Sequence, residues 1–322
     1  MPERLARFIR SHEARLALIV AAIGVSFAVV APGFRSWGNF RDLLESHSVL
    51  AIMASGMLLV LIAGGIDISC AAVAAVSQYL AVLSLNHWGG NWILAAAFAI
   101  GFGAVLGAVN AGLIHSLKAP PVIVTIATMT FYFSMLMFST KGAPIYDLPD
   151  WFTTKTKIFA LPLPIVIAAA ALGTTAFLLH RLSIGRQIFG LGGNAEAARR
   201  MGCNIAALQF FVYGFSGAMA GLAGLVQAHR VEEVAPNALI GRELDVLAAV
   251  VLGGTSLSGG RGTVSGAIFG IVLLAMLRNG LTLMGVSSYS FGWVTGLVIL
   301  LSLSATALSQ RKSVKGASRA DA

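Results

Sequence analysis

The amino-acid sequence predicts an all-α membrane protein with about ten transmembrane helices. Of its 322 residues, 57% are hydrophobic and only 11% are charged, whereas soluble domains carry about 25% charged residues. Long stretches without an acidic or basic side chain recur along the chain, among them 95–114, 122–140 and 281–310. A helix needs about 20 mostly apolar residues to cross a hydrocarbon layer of about 30 Å. Several stretches reach that length, so the excess apolar surface is expected to face lipid.

Ten apolar segments fill most of the chain and define its predicted organisation. The predicted spans are 16–31, 49–63, 70–85, 92–115, 122–139, 161–180, 205–226, 244–257, 264–281 and 291–308. The first span is of full length, so we expect no cleavable signal peptide. The prediction is therefore a cytoplasmic segment 1–15 and a single transmembrane domain 16–308, followed by a cytoplasmic basic tail 309–322. A polar cytoplasmic segment, 181–204, interrupts that domain.

The distribution of basic residues predicts the orientation in the membrane. An even number of spans puts both termini on one side. Most of the 22 Lys and Arg residues fall in segments that would share that side, including 1–15, 181–204 and 309–322. Short basic connections stay in the cytoplasm, so both termini are predicted to be cytoplasmic. The net charge of +9 is then explained by orientation, and we expect no nucleic-acid partner.

Small residues recur every four positions on several predicted helices. Each set lines one helix face and lets two backbones approach closely. This pattern indicates either packing within one subunit or a seam between two subunits, and the sequence leaves both open. The sets are Gly103, Gly107 and Ala111; Gly217 and Gly221; Gly262, Gly266 and Gly270; and Gly292 and Gly296.

The segment from Gly64 to Ser69 is the first candidate for a functional interruption. Gly64 and Gly65 break the helix, and Asp67 follows inside an apolar stretch. A charged group at membrane depth costs at least about 2.5–3.5 kcal/mol unless it is paired or faces water. Two interpretations follow, and they are compatible: Asp67 caps the next helix, or it lines a pathway together with Gly64, Gly65 and Ser69.

A second glycine-rich segment, 252–262, contains Gly253, Gly254, Thr255 and Ser256. It lacks the Gly-Lys-Ser/Thr ending of a phosphate-binding loop, so a broken helix is the preferred interpretation. The pair Gly253-Gly254, with Ser258 four residues after the second glycine, echoes Gly64-Gly65 with Ser69 four residues on. Either the chain is a 5+5 pseudo-repeat, an arrangement common in transporters, or the match is chance.

The polar segment 181–204 is predicted to contain a short surface helix. Asn194 is a good N-cap, residues 195–201 favour helix, and Gly202 suits the position after a helix end. Glu196 falls in the first turn and the pair Arg199 and Arg200 in the last, which matches the helix dipole. The segment is either a plain interfacial loop or a docking helix for a cytoplasmic partner.

Catalytic and metal-binding patterns are missing from the sequence. It contains no His-Glu-x-x-His, no paired cysteines and no Gly-x-Ser-x-Gly. We therefore expect no catalytic residue and no metal site, and a membrane-bound enzyme is disfavoured. An ion-coupled secondary transporter of a small polar solute stays open, although it would normally show more intramembrane ionisable groups than Asp67.

Three segments resemble the ribose-type permeases of ABC importers, within the branched-chain amino acid/ribose permease superfamily. Residues 64–69 are similar to the Gly-Gly-Ile-Asp-Leu-Ser signature of that family. Residues 185–199 resemble its cytoplasmic segment, and residues 243–262 its late signature, which continues through 279–289. The likeness covers about residues 40–305.

The resemblance implies a transport subunit of the bacterial inner membrane for a sugar-like solute. Two such subunits, identical or paralogous, would form the pathway, and a periplasmic solute-binding protein would deliver the solute. A separate cytoplasmic ATPase would hydrolyse ATP with Mg²⁺, so this chain would carry no cofactor. By the same resemblance, the segment from Asn194 to Gly202 would be the coupling helix that docks on the ATPase.

Overall fold

The computed structural model describes residues 12–154, 157–158, 161–287, 290–293, 296–297 and 300. The helices are α1 His12–Val30, α2 Trp37–Ser46, α3 Ser48–Ile62, α4 Cys70–Trp88, α5 Trp92–Leu117, α6 Pro121–Thr140, α7 Asp150–Thr153, α8 Leu163–Arg181, α9 Ser183–Gly193, α10 Ala195–Arg200, α11 Ile205–Val231, α12 Arg242–Leu252 and α13 Val264–Leu283. Strands β1 Lys157–Ile158 and β2 Leu161–Pro162 pair antiparallel. The predicted tail 309–322, residues 1–11 and most of the predicted span 291–308 lie outside the described residues.

The all-α multi-pass prediction is confirmed. Within the described part, seven helices are long and apolar enough to cross a membrane: α1, α4, α5, α6, α8, α11 and α13. The bent pair α2 and α3, which meet at 43°, makes an eighth if it forms one span. Helix α12 is shorter than the predicted span 244–257. Its 11 residues rise about 16 Å, so α12 cannot cross the membrane alone.

Local signals fix where the long helices begin. The side chain of Asn91 accepts hydrogen bonds at the start of α5, and Asn204 and Thr263 do the same for α11 and α13. Pro121 opens α6 at the first helical position, where its missing N–H is not needed. Each cap satisfies backbone donors that the helix itself leaves unpaired.

Helix α3 lies at the centre of the bundle, and all 15 of its residues are buried. Helix α11 packs against α3, α4 and α5, while α1 is peripheral. Large apolar side chains such as Val29 of α1 and Phe138 of α6 are exposed. This pattern fits helices that face lipid on the outside and protein on the inside.

Glycines let α5 and α11 cross with their backbones in contact. A Cβ added at Gly103 or Gly107 would overlap a carbonyl oxygen of α11, and one at Gly217 would overlap the Gly103 carbonyl. In the same way, Gly266 and Gly270 pack on the backbone of α12. For these helices the small-residue faces are packing surfaces within one subunit, as the first interpretation predicted. An added Cβ at residue 292 or 296 would meet no described atom, so that pair stays undecided.

The end of the bundle opposite α9 and α10 is closed by a small aromatic cluster. Phe152 of α7 is fully buried and stacks on Trp92, with ring centroids 4.9 Å apart. His229 of α11 donates through Nδ1 to the Phe152 carbonyl oxygen at 2.6 Å. Ile145 and Val234 pair as an isolated bridge beside it. These contacts tie the 141–162 connection to the end of α11.

Candidate functional site

Helix α3 ends in a glycine turn at the start of the first predicted interruption. Gly64 has a φ of +84°, a left-handed conformation that glycine adopts without steric cost. The amides of Gly64 and Gly65 donate to the carbonyls of Leu61 at 3.0 Å and Val60 at 2.9 Å. This double closure satisfies two of the last helix carbonyls. A Cβ at Gly65 would overlap the Tyr213 hydroxyl, so this glycine lets α11 pack against the turn.

Asp67 lies between α3 and α4 and is only 1% exposed. Its Oδ1 accepts from the Ser69 amide at 3.0 Å and from the Ser69 hydroxyl at 2.6 Å. Its Oδ2 accepts from the Ser216 hydroxyl of α11 at 3.0 Å. Helix α4 begins at Cys70, so Asp67 stabilises the turn that leads into the helix and binds no N–H within it. Two of these bonds therefore close the turn at Ser69, and the third fixes the interruption to α11.

The polar contacts of Asp67 continue into α5 and α6. The Asn110 side chain of α5 donates to the Ser69 hydroxyl oxygen at 2.7 Å. Tyr132 of α6 donates to the Asn110 Oδ1 at 3.3 Å. Asn110 is fully buried and Tyr132 is 6% exposed. The Ser69 hydroxyl thus accepts from one helix while it donates to Asp67, which links the first interruption to the helices on both sides.

Thr125 of α6 satisfies the backbone of the same interruption. Its hydroxyl donates to the Ile66 carbonyl at 3.1 Å and accepts from the Ile68 amide at 3.2 Å. Irregular backbone at membrane depth must find partners in the protein or in a cavity. Here one buried threonine supplies both partners, so residues 66–68 are held without regular secondary structure.

The hydrogen-bond partners of Asp67 are neutral groups. In the part of the chain that the structure describes, no Lys, Arg or His forms an ion pair with it. Sequence reasoning singled out Asp67 and Ser69 but missed Ser216, which bonds Asp67, and the residues that bond the rest of the interruption, Asn110, Tyr132 and Thr125. Each is a polar residue in a mostly apolar span, and that signal could have pointed to them.

Helix α12 ends in the same kind of turn. Gly254 has a φ of +89°, and the amides of Gly254 and Thr255 donate to the carbonyls of Val251 at 2.9 Å and Val250 at 3.3 Å. Beyond it, the Ser256 amide donates to the Arg261 carbonyl at 3.0 Å. The buried Thr255 hydroxyl has no hydrogen-bond partner among the described residues. This second interruption satisfies its backbone mainly through its own turn.

The two turns match with a register one residue away from the predicted echo. The residue before each left-handed glycine is Ala63 in one turn and Gly253 in the other, so Gly64 corresponds to Gly254. The predicted echo pairs Gly64 with Gly253, because it matches the two segments by their serines, Ser69 and Ser258. In the corrected register Asp67 corresponds to Leu257, and the second turn therefore has no equivalent carboxylate.

The short helix predicted in the polar segment is confirmed as α10. The Asn194 side chain accepts from the Ala197 amide at 2.9 Å, as expected for an N-cap. Gly202 has a φ of +86° and donates to the Arg199 carbonyl at 2.9 Å. Ala198 is 1% exposed and anchors the helix to the bundle.

The outer face of α10 is charged and exposed. Glu196 forms ion pairs with Arg200 at 3.3 Å and Arg199 at 3.9 Å, and all three side chains are more than half exposed. Exposed pairs of this kind contribute little to stability. Met201, which the sequence analysis did not single out, is 75% exposed beside them. The face therefore combines charged groups with one apolar tip, a composition suited to a protein partner.

An ion pair between Asp245, which lies in the late signature, and Arg278 ties α12 to α13. Arg278 donates to both carboxylate oxygens of Asp245, at 2.8 and 2.7 Å. Both bonds come from Nη2, and this ion pair joins the first turn of α12 to the last two turns of α13. Glu243 is 8% exposed, and its Oε2 has no partner among the described residues. The ion pair between Arg278 and Asp245 holds α12 and α13 together at the start of α12, away from the turn at Gly254.

Comparison with known proteins agrees with this architecture. The profile of the family described as "Branched-chain amino acid transport system / permease component" matches residues 39–303. The ribose import permease protein RbsC of Escherichia coli K12 is 35% identical over 303 residues, which cover 92% of this chain and 93% of the relative. RbsC of Bacillus subtilis 168 is 36% identical over 302 residues, 92% of each chain. The L-arabinose transport system permease protein AraH of E. coli K12 is 31% identical over 285 residues, 88% of this chain and 87% of the relative. No solved structure matches the chain significantly.

The family match spans both interruptions and the α9–α10 segment, and the relatives are similar over nearly their whole lengths. Both the relatives and the family are transport permeases, which excludes the membrane-bound enzyme considered from the sequence. The chain belongs to the branched-chain amino acid transport system permease family, and it is a multi-pass transport subunit of the bacterial inner membrane.

Proposed function

We propose that the chain is the permease subunit of an ABC importer that carries a monosaccharide or sugar-like solute across the inner membrane. A separate ATPase subunit drives the transport. The observation that carries the proposal is the exposed, capped helix α10, which follows directly on α9, a helix with one face packed into the bundle. Relatives named for ribose import and L-arabinose transport support the solute class.

Helix α10 is the docking element for the ATPase in this proposal. Asn194 and Gly202 fix its two ends, and Glu196, Arg199 and Arg200 present charges to the partner. Met201 adds an apolar contact at the tip, since its side chain is 75% exposed. ATP and Mg²⁺ bind the partner, so this chain needs no cofactor of its own.

The translocation pathway passes the two interruptions. The proposed lining residues are Gly64, Gly65, Asp67, Ser69, Gly253, Gly254, Thr255 and Ser256. A second permease subunit, identical or paralogous, completes the pathway, and a periplasmic solute-binding protein delivers the solute. Discontinuous helices place irregular backbone at membrane depth, where transporters of many kinds contact their solutes. The whole transmembrane domain 16–308, with segment 181–204 as its cytoplasmic contact, acts as one unit.

Reversing the charges of α10 tests the docking role. We expect Arg199→Glu with Arg200→Glu to insert normally but to lose ATP-driven uptake and co-purification with the ATPase, because two cations become anions on the docking face. The matched control is Lys118→Glu with Arg15→Glu, which reverses two exposed cations on the same predicted side. Uptake should persist in the control. Normal uptake in the α10 variant would reject the docking role.

The solute class has its own test. The solute-binding protein of the proposed importer is titrated by calorimetry with ribose, L-arabinose and leucine. Binding of either sugar and no binding of leucine is the expected result. Leucine as the preferred ligand would reject the sugar assignment and leave the rest of the proposal intact.

A further inference from the structure

Three backbone segments meet at one point next to the two interruptions. The first is the end of α3 at Ile62 and Gly64, the second is the end of α9 at Gly192, and the third is the turn at Gly259 and Gly260 that follows α12. We call this meeting point, together with Gly193, the glycine junction. None of these glycines except Gly64 was assigned a role from the sequence.

The segments touch through backbone atoms. The Gly260 amide donates to the Ile62 carbonyl at 2.9 Å, which satisfies a carbonyl at the end of α3. A Cβ added at Gly192 would lie 2.6 Å from the Gly260 amide nitrogen and would overlap the Ile62 carbonyl oxygen. A Cβ at Gly259 would lie 2.8 Å from the Gly64 Cα and 2.7 Å from the Gly192 carbonyl oxygen. No room is left for a side chain between these three backbones.

Helix α9 connects this junction to α10. Its buried face carries Gly185, Ile188 and Leu191, so α9 is packed into the bundle and does not lie free on the surface. The Asn194 amide donates to the Gly190 carbonyl at 3.0 Å, and the Asn194 side chain caps α10. One residue, Asn194, therefore joins the packed helix α9 to the exposed helix α10, without a flexible linker.

We propose that Gly192 is a positioning residue that makes α9 and the ends of both interrupted helices move together. The inference rests on the proposed function, because the motion in question is that of α10 on the ATPase. Close-packed backbones transmit displacement with little loss, since no side chain can change rotamer between them. A displacement of α10 then reaches the end of α3 and the turn after α12 at the same time.

Alanine at Gly192 tests the junction, and alanine at Gly190 is the matched control. Both positions lie in α9, and both substitutions raise its helix propensity by about 1 kcal/mol. A Cβ at Gly190 meets no atom within 4 Å. One at Gly192 would overlap the Ile62 carbonyl oxygen and must push the three backbone segments apart. In proteoliposomes with the ATPase and binding protein, we expect Gly192→Ala to keep ATPase co-purification but to lose about tenfold in uptake per ATP hydrolysed.

The Gly190→Ala protein should transport like the wild type. Equal uptake per ATP in the two variants would overturn the role of Gly192. Failure of the proposed function looks different, since the wild type would then show no ATP-driven uptake at all. Loss of both co-purification and uptake in Gly192→Ala alone would also overturn the inference, because it would show a role in folding or docking.

Distances between spin labels test whether α9 and the turn after α12 move together while the glycine junction is intact. This experiment replaces the alanine test if the Gly192→Ala protein does not accumulate. Labels at Gln187→Cys and Ser258→Cys, both exposed positions, are introduced in a Cys203→Ser background. The distance between them should be the same without ATP and in the ATP-trapped complex, while each label moves relative to one at Lys118→Cys. A changed 187–258 distance, or no motion relative to residue 118, would overturn the inference.

Discussion

The two interruptions share a helix-ending turn but hold their irregular backbone by different means. In the first, side chains of α5, α6 and α11 bond to Ser69, to the backbone at Ile66 and to Asp67, respectively. In the second, backbone groups of residues 256–261 pair with one another and with Ile62, and the Thr255 hydroxyl has no partner among the described residues. The first is fastened to the bundle by side chains, whereas the second is a compact turn that rests on glycines.

This difference suggests separate tasks for the two turns. A turn fastened by several side chains moves only if its network breaks, and a buried polar network left half satisfied is strongly destabilised. A turn with internal bonds can move as a unit, together with the backbone it touches. We therefore expect stability to depend on side chains at the first interruption and on backbone shape at the second.

The largest expected effect is that of Asp67→Ala. It leaves the Ser69 amide and the hydroxyls of Ser69 and Ser216 without their acceptor, so the free energy of unfolding should fall by about 3 kcal/mol. Denaturation in mixed micelles measures it. Asp67→Asn is the control, because its side-chain oxygen still accepts from Ser69 and the Ser216 hydroxyl can accept from its amide. Equal losses in the two variants would show that charge, and not bonding, holds the turn.

A pair of threonine-to-valine changes compares the two interruptions at constant shape. Thr125→Val removes both partners of the backbone at Ile66 and Ile68 and should lower the free energy of unfolding by about 2 kcal/mol. Thr255→Val removes a buried hydroxyl with no partner and should be neutral or slightly stabilising. The same denaturation assay reads both. A larger loss at Thr255 than at Thr125 would reverse the comparison.

The smallest expected loss of stability probes what the two turns have in common. Gly64→Ala and Gly254→Ala each place a Cβ on a residue with a φ near +85°, at +84° and +89°. Each should lower the free energy of unfolding by about 1 kcal/mol, the usual penalty of a left-handed residue. A marked difference between the two would mean that the turns are not equivalent.

Sequence patterns predicted some features nearly to the residue. The cap at Asn194 and the stop at Gly202 located α10, because capping depends on residues close in sequence. The glycine spacing on α5 and α11 likewise predicted close helix packing. Both signals are local, and a single sequence carries them fully.

Other features depend on contacts between distant segments. The bond between Asp67 and Ser216 joins residues 149 positions apart, and no local pattern predicts it. The register of the two turns was misjudged because the spacing of serines says nothing about which glycine has a positive φ. The shortness of α12 was missed because Gly253 and Gly254 lie inside an apolar run that reads as one span.

The most direct test of the central claim is solute uptake by proteoliposomes that hold the purified chain with or without its ATPase and binding protein. The account predicts uptake of the bound sugar only when both partners and ATP are present, and none when an ion gradient is imposed on the chain alone. Uptake by the chain alone, driven by an ion gradient, would contradict it and identify an ion-coupled secondary transporter.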